Sequence, residues 1–292
     1  MILPCVRIIT CTLLKPATQA GFGTKFSALL GLRSFPCEMV RIGFHSREQF
    51  DMTYCLGIFL ERGLLLASDS RTNAGVDQIA TVSKLSVFAT PEERLMTVLS
   101  AGNLATTQAV ISALRQAYGT GDMQRDLALS GSLFDAAQKI GDCLRDVLAR
   151  EASFVHPYGD PSASFLLGGQ IRGEDRRLFQ IYSAGNFMEA SERTPFLQIG
   201  ETKYGKPILD RLLRFDTSLE EAAKLTLLSF DATMRSNLSV GAPIDLLLYE
   251  NGSLEARRMR SFDEGDPYLA GLRQGYAAGL TTLVEALPLP DM

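Results

Sequence analysis

Along this chain, pairs of apolar runs of strand length recur, each pair joined by a short turn. The first is 56-LGIFL-60 and 64-LLLASDS-70 around Glu61-Arg62-Gly63; the middle group is 162-SASFLLGGQI-171, 177-RLFQIYSAG-185 and 196-FLQIG-200. The last is 243-PIDLLLYENGSLEARRMRSF-262, with its turn expected at Asn251-Gly252. A further strand is expected at 95-LMTVLSA-101. Short turns between strands dictate antiparallel pairing, so the alternating strand-helix winding of a parallel sheet fits poorly.

The helical patterns fall between these groups in pairs. Asn103 is placed to cap a helix through about Tyr118, with Leu104, Val110, Ile111 and Leu114 along one face, and a second helix is expected from about Ser132 to Ala149. Two more are expected at about 204–214 and 218–236, the latter opening on 217-TSLEE-221, and a last one at about 267–287. Paired helices suit the outer faces of two stacked sheets, which makes the fold class α+β: a four-layer α/β/β/α sandwich of two antiparallel sheets.

Charge and cysteine divide the chain near Met52. Residues 1–51 carry six Lys/Arg and three Asp/Glu, whereas the remainder holds 23 basic and 30 acidic residues. An acidic body without a basic tract argues against a nucleic-acid partner, and no apolar run reaches membrane-spanning length. Cys5, Cys11 and Cys37 precede the division; only Cys55 and Cys143 follow it, which suits a reducing cytoplasm. Residues 1–52 are expected to be a cleaved leader or an upstream extension of a true start at Met52, absent from or disordered in the mature protein. Either route would make residue 53 an amino terminus.

Chemistry without histidine follows from that. His45 precedes the division and His156 sits alone in VHPYGDP, so a Ser-His-Asp or Cys-His apparatus is poorly supported. GFG at 21–23 does not follow a strand and carries no weight as a dinucleotide motif. An amino-terminal threonine supplies its own base, because its free α-amine can take the hydroxyl proton. Thr53 is placed for this role at the head of the first strand. The returning strand delivers Asp69, and the next extended segment, 81-TVSKLSVF-88, delivers Lys84. A lysine beside the nucleophile would stabilise developing oxyanion charge, with Asp69 holding it in place. Singly, Thr53 reads as a strand opener, Asp69 as a turn cap and Lys84 as a solvated lysine.

The elements Met-Thr-Tyr-Cys at 52–55, 67-ASDSRTNAG-75, Lys84, 100-SAGN-103, 200-GETKYGKPILDR-211 and 234-MRSNLSVG-241 together resemble Anbu, a family of bacterial proteasome-type proteins related to proteasome β subunits and HslV. The resemblance runs from Thr53 nearly to the C terminus and implies an N-terminal-nucleophile hydrolase domain over residues 53–292. It implies Thr53 as nucleophile and amine base, Asp69 and Lys84 as its ion pair, and Gly102 as the oxyanion N–H. Ser162, or in competition Ser164, would bond the amine, and Asp210 would extend the proton network. Leu213 departs from the serine found there in many β subunits.

The implied activity is a cytoplasmic threonine peptidase that cleaves peptides or unfolded chains, uses no cofactor or metal, and assembles into a homo-oligomeric ring or helical turn. An unfoldase or other accessory partner is left open. The apolar faces of the helices at 103–118 and 130–149 are candidates for subunit contacts, although a buried core face is the commoner use of such a stripe. A non-catalytic, peptide-binding assembly subunit and an amidase or transferase acting on a small amide are the competing readings. A reactive thiol at Cys55 is a weaker one.

Overall fold

The computed structural model describes residues 53–73 and 79–292. Residues 1–52, to which the leader reading applies, lie outside them.

The Glu61-Arg62 turn closes the first hairpin between β1 (Tyr54–Leu60) and β2 (Gly63–Asp69), paired from Cys55↔Ser68 to Leu60↔Gly63. Both strands are buried on both faces, which is why their sequences read as continuous apolar runs without alternation. A short ribbon follows, β3 (Arg71–Asn73) with β4 (Ile79–Thr81), and then the hairpin of β5 (Leu85–Thr90) and β6 (Arg94–Gly102). Asn103 caps α1 (Leu104–Ala117) by accepting the Thr106 N–H, and Ser132 caps α2 (Leu133–Val155) in the same way through Asp135.

The middle strands are β7 (Ala163–Ile171), β8 (Arg177–Ile181), β9 (Phe187–Glu189) and β10 (Phe196–Gly200). After α3 (Lys206–Leu212), Ser218 and Glu221 form a reciprocal capping box on α4 (Leu219–Ser236). The chain finishes with β11 (Ile244–Glu250), β12 (Arg258–Phe262) and α5 (Pro267–Ala286). One sheet has the order β10-β1-β2-β11-β12 and the other β5-β6-β7-β8-β9, with every pairing antiparallel.

Three apolar clusters define four layers. Leu64, Leu66, Leu99, Leu166 and Leu247 fill the space between the sheets. Phe165 and Val98 meet Val110, Ile140 and Leu144 of α1 and α2 on one outer face, and Tyr54 and Leu246 meet Leu209, Phe230 and Leu269 of α3, α4 and α5 on the other. The apolar stripes of α1 and α2 are therefore spent on their own sheet, the commoner of the two uses weighed for them, and not on subunit contacts. Among the described residues no helix is long and apolar enough to cross a membrane.

Three local expectations need correction. Helix α2 runs to Val155 instead of Ala149, because its last turns continue on exposed residues such as Ser153 and Phe154 after the apolar stripe has ended. The final hairpin does not close at Asn251-Gly252 alone: the register pairs Leu248 with Arg258, so the connection spans 251–257, with Gly252 at φ 81° and Leu254 at φ 51° inside it. Strand β9 was not expected, since three residues, of which only Phe187 packs on the core, carry almost no periodic signal.

The loop between α1 and α2 is organised by one buried carboxylate. Asp126 accepts N–H bonds from Gly119 (2.9 Å), Ala128 (2.8 Å) and Gly121 (3.0 Å), while its carbonyl accepts from Lys139 Nζ (3.0 Å). Burial works to raise its pKa, but the three N–H donors, with Lys139, outweigh it and hold the carboxyl below its ordinary value. A depressed folded pKa means that the stabilisation is present above the unfolded value of about 3.9 and disappears as pH falls through the folded one. Asp126→Ala is expected to cost about 2–3 kcal/mol at neutral pH. Thermal unfolding should show a lower midpoint for the variant at pH 7 and a gap from wild type that closes towards pH 2; equal midpoints at pH 7 would show that the loop does not depend on this group.

Candidate active site

Thr53 stands immediately before β1, where the ladder between β1, β2 and β10 fixes its position. Its carbonyl accepts the Glu201 N–H at 2.7 Å, and the next residue, Tyr54, lies opposite Gly200. Gly200 has φ 81° and packs its Cα against the Thr53 carbonyl so closely that a side chain there would collide with it. On the other side the Tyr54 N–H donates to Asp69 Oδ1 at 3.0 Å. The Tyr54 ring is buried against Phe230, and its hydroxyl, pushed up to about 12 by burial, meets Ser229 and Gln198. The start of β1 is thus held from three sides, leaving the Thr53 side chain 6% exposed at a cavity wall.

Asp69 ends β2 with no exposed surface. Its Oδ1 accepts Lys84 Nζ at 2.8 Å as well as the Tyr54 N–H, and its Oδ2 accepts the Gly241 N–H at 3.3 Å. Lys84 Nζ also donates to the Arg71 carbonyl at 2.8 Å. Burial pushes the Asp69 carboxyl up; the Lys84 ammonium and the Tyr54 and Gly241 N–H groups oppose it. Such a pair is costly to bury, and the folded chain keeps it beside Thr53.

A cavity of about 480 Å³ runs from Thr53 and Lys84 past Gly102 and along α1 as far as Arg115. A second, about 230 Å³, lies on the other side of Gly102 and is lined by Ser162, Ser164, Gln198 and Gly200. Gly102 borders both. It terminates β6 at φ 111°, and a Cβ on it would stand 2.5 Å from the Ser162 carbonyl oxygen, so only glycine fits the junction.

The remaining expected residues are distributed unevenly. Ser162 and Ser164 both line the second cavity; the Ser162 hydroxyl donates to Asp160 Oδ2 at 2.6 Å. Asp210 lies elsewhere: Ile208 and Leu209 take the buried face of α3, which turns Asp210 outward to bond Lys206 at 2.6 Å, both side chains half exposed. Leu213, the departure from the expected serine, is buried at 3% in the apolar cluster under α3 and α4. Cys55 is fully buried with its thiol pushed far up by desolvation, the state of an inert structural cysteine. His156 is an exposed residue at the end of α2.

Residues not anticipated also join the site. Asp160 was legible as the first member of an Asp-x-Ser turn, since its Oδ1 accepts the Ser162 N–H at 2.9 Å. The Arg71 carbonyl and Gly241 N–H contribute backbone atoms, for which side-chain identity gives no signal.

The comparisons with known proteins bear on this arrangement. Residues 53–247 match the proteasome subunit family. Among solved structures, Anbu (ancestral beta-subunit) from Yersinia bercovieri superposes with a TM-score of 0.77 at 45% identity, covering 82% of this chain and 99% of that one. This chain belongs to the proteasome subunit family, in its Anbu branch. The helical assembly of the Anbu complex from Pseudomonas aeruginosa gives a TM-score of 0.78 at 48% identity over 82% of this chain and 98% of its own. Anbu from Hyphomicrobium sp. strain MC1 gives 0.75 at 45% over 82% and 100%. A search of curated proteins found no match. The four-layer α+β sandwich read from the strand grouping is the proteasome-type fold of this Anbu-branch chain, and the family match begins at the residue that heads β1.

Proposed function

We propose that this protein is a threonine hydrolase that uses Thr53 as an amino-terminal nucleophile to cleave peptide amide bonds. The observation that carries the reading is the placement of Thr53 at the wall of a cavity that also holds Lys84, itself oriented by Asp69 at 2.8 Å and the Arg71 carbonyl at 2.8 Å. With residue 53 as the amino terminus, Thr53 Oγ attacks the amide carbonyl while the α-amine takes the hydroxyl proton. Lys84 and the Gly102 N–H stabilise the tetrahedral anion, and the amine returns its proton to the leaving nitrogen. Water then attacks the acyl-threonine ester, the amine again acting as base, and releases the acid. Ser162, whose hydroxyl donates to Asp160, is assigned to bond the amine by the family resemblance; Asp210 has no part in this step.

The relative from Pseudomonas aeruginosa forms a helical assembly, and this chain is proposed to self-assemble as well. Its α5, with Tyr268, Leu280, Leu283 and Val284 exposed, offers apolar surface for such contacts. The domain boundary at residue 53 belongs to the same proposal and is supported by the family match starting there. The non-catalytic assembly subunit is the second reading, favoured by the outward Asp210 and the buried Leu213. Intact mass and amino-terminal sequencing of the protein from its own cells, paired with a peptide-hydrolysis assay, separates them. A chain that begins at Thr53 and turns over amides is expected; one that retains residues 1–52 and hydrolyses nothing would leave the assembly subunit.

A further inference from the structure

The large cavity has a charge imbalance. Among the described residues its walls include the cations Lys84 and Arg115 and no carboxylate. Lys84 is neutralised by Asp69, whereas among the described residues no carboxylate pairs with Arg115. As a basic residue in the last turn of α1, Arg115 could serve merely to complement the helix dipole. Its guanidinium is instead directed to the sheet, where Nη2 donates to Ser86 Oγ at 3.0 Å.

That contact sets a depth. Lys84 and Ser86 are two residues apart on an extended segment, so their side chains project to the same side about 7 Å apart. The Lys84 ammonium marks the reacting end and the Arg115 guanidinium the far end. Ser86 and Ser100 keep the walls between the two ends small and hydroxylated.

We infer that Arg115 makes this cavity selective for an acidic side chain on the residue immediately before the scissile amide; the inference rests on the Thr53 hydrolase reading for the direction in which the peptide lies. Arg115 is a specificity residue here and touches no reacting atom. A guanidinium that already spends one N–H on Ser86 keeps the others for a carboxylate.

Binding tests this without requiring turnover. Four peptides, fluorescently labelled at the amino end and alike except for a last residue of Glu, Gln, Leu or Lys, are titrated by anisotropy against the protein isolated from its own cells. The Glu peptide is expected to bind roughly tenfold tighter than its Gln isostere. That margin should shrink in 1 M salt. Arg115→Gln should erase it and Arg115→Glu should transfer the preference to Lys, with circular dichroism confirming that both variants remain folded. Equal affinities for Glu and Gln, no binding by any peptide, or a Glu preference that survives Arg115→Gln would overturn the inference. Selective Glu binding without cleavage of any amide extended beyond that residue would overturn the hydrolase reading alone.

Discussion

Thr53→Ala is expected to abolish amide hydrolysis and leave the fold and any assembly in place. In the proposed mechanism one side chain supplies the attacking oxygen, and loss of a nucleophile acting within a concerted unit costs on the order of 10⁶ in kcat. The change removes a hydroxyl and a methyl from a cavity wall, while the bonds that position residue 53 run from its carbonyl to the Glu201 N–H and from the Tyr54 N–H to the Asp69 carboxylate. Thermal stability should therefore move by less than about 1 kcal/mol. Thr53→Ser, which keeps the oxygen but frees the rotamer that the β-methyl restricts, should retain activity at a reduced rate. Turnover of peptides by the alanine variant at the wild-type rate would remove Thr53 from the chemistry.

Lys84→Met is expected to lose both activity and stability. The ammonium is the charged donor best placed for a developing oxyanion beside Thr53, and removing one such donor costs about 10²–10³ in kcat. It also leaves Asp69, which has no exposed surface, as an uncompensated buried charge, at a cost of about 3–5 kcal/mol. The two effects separate in Asp69→Asn/Lys84→Met. There both charges are gone, so stability should largely return while hydrolysis stays low. Recovery of both would mean that Lys84 serves the fold and not the reaction; urea unfolding alongside steady-state rates provides the comparison.

Much of the architecture was legible because it rests on local periodicity. Unbroken apolar runs at 56–60 and 64–67 mark strands buried on both faces, and the caps at Asn103 and Ser218 mark helix starts through side chains that satisfy the first N–H groups. Elements with weak local signal escaped: the three-residue β9, the exposed last turns of α2 and the wide connection before β12. Within the site, Thr53 and Asp69 stood out because the two strands of one hairpin carry them, and Lys84 because it lies on the next extended segment. Asp210 was drawn in by its motif alone, and the helix that bears it turns it outward.

The alternation of strand pairs with helix pairs determined the layers, since hairpins can only pair antiparallel and amphipathic helices must cover a sheet. The amino-acid order also determined the candidate nucleophile and its ion pair. Tertiary structure alone decided what surrounds them. Gly241 reached Asp69 from 172 residues away, and Arg115 swung from the end of α1 onto Ser86. Those contacts depend on how a helix sits on a sheet and where a loop backbone passes, and neither leaves a periodic trace in the chain.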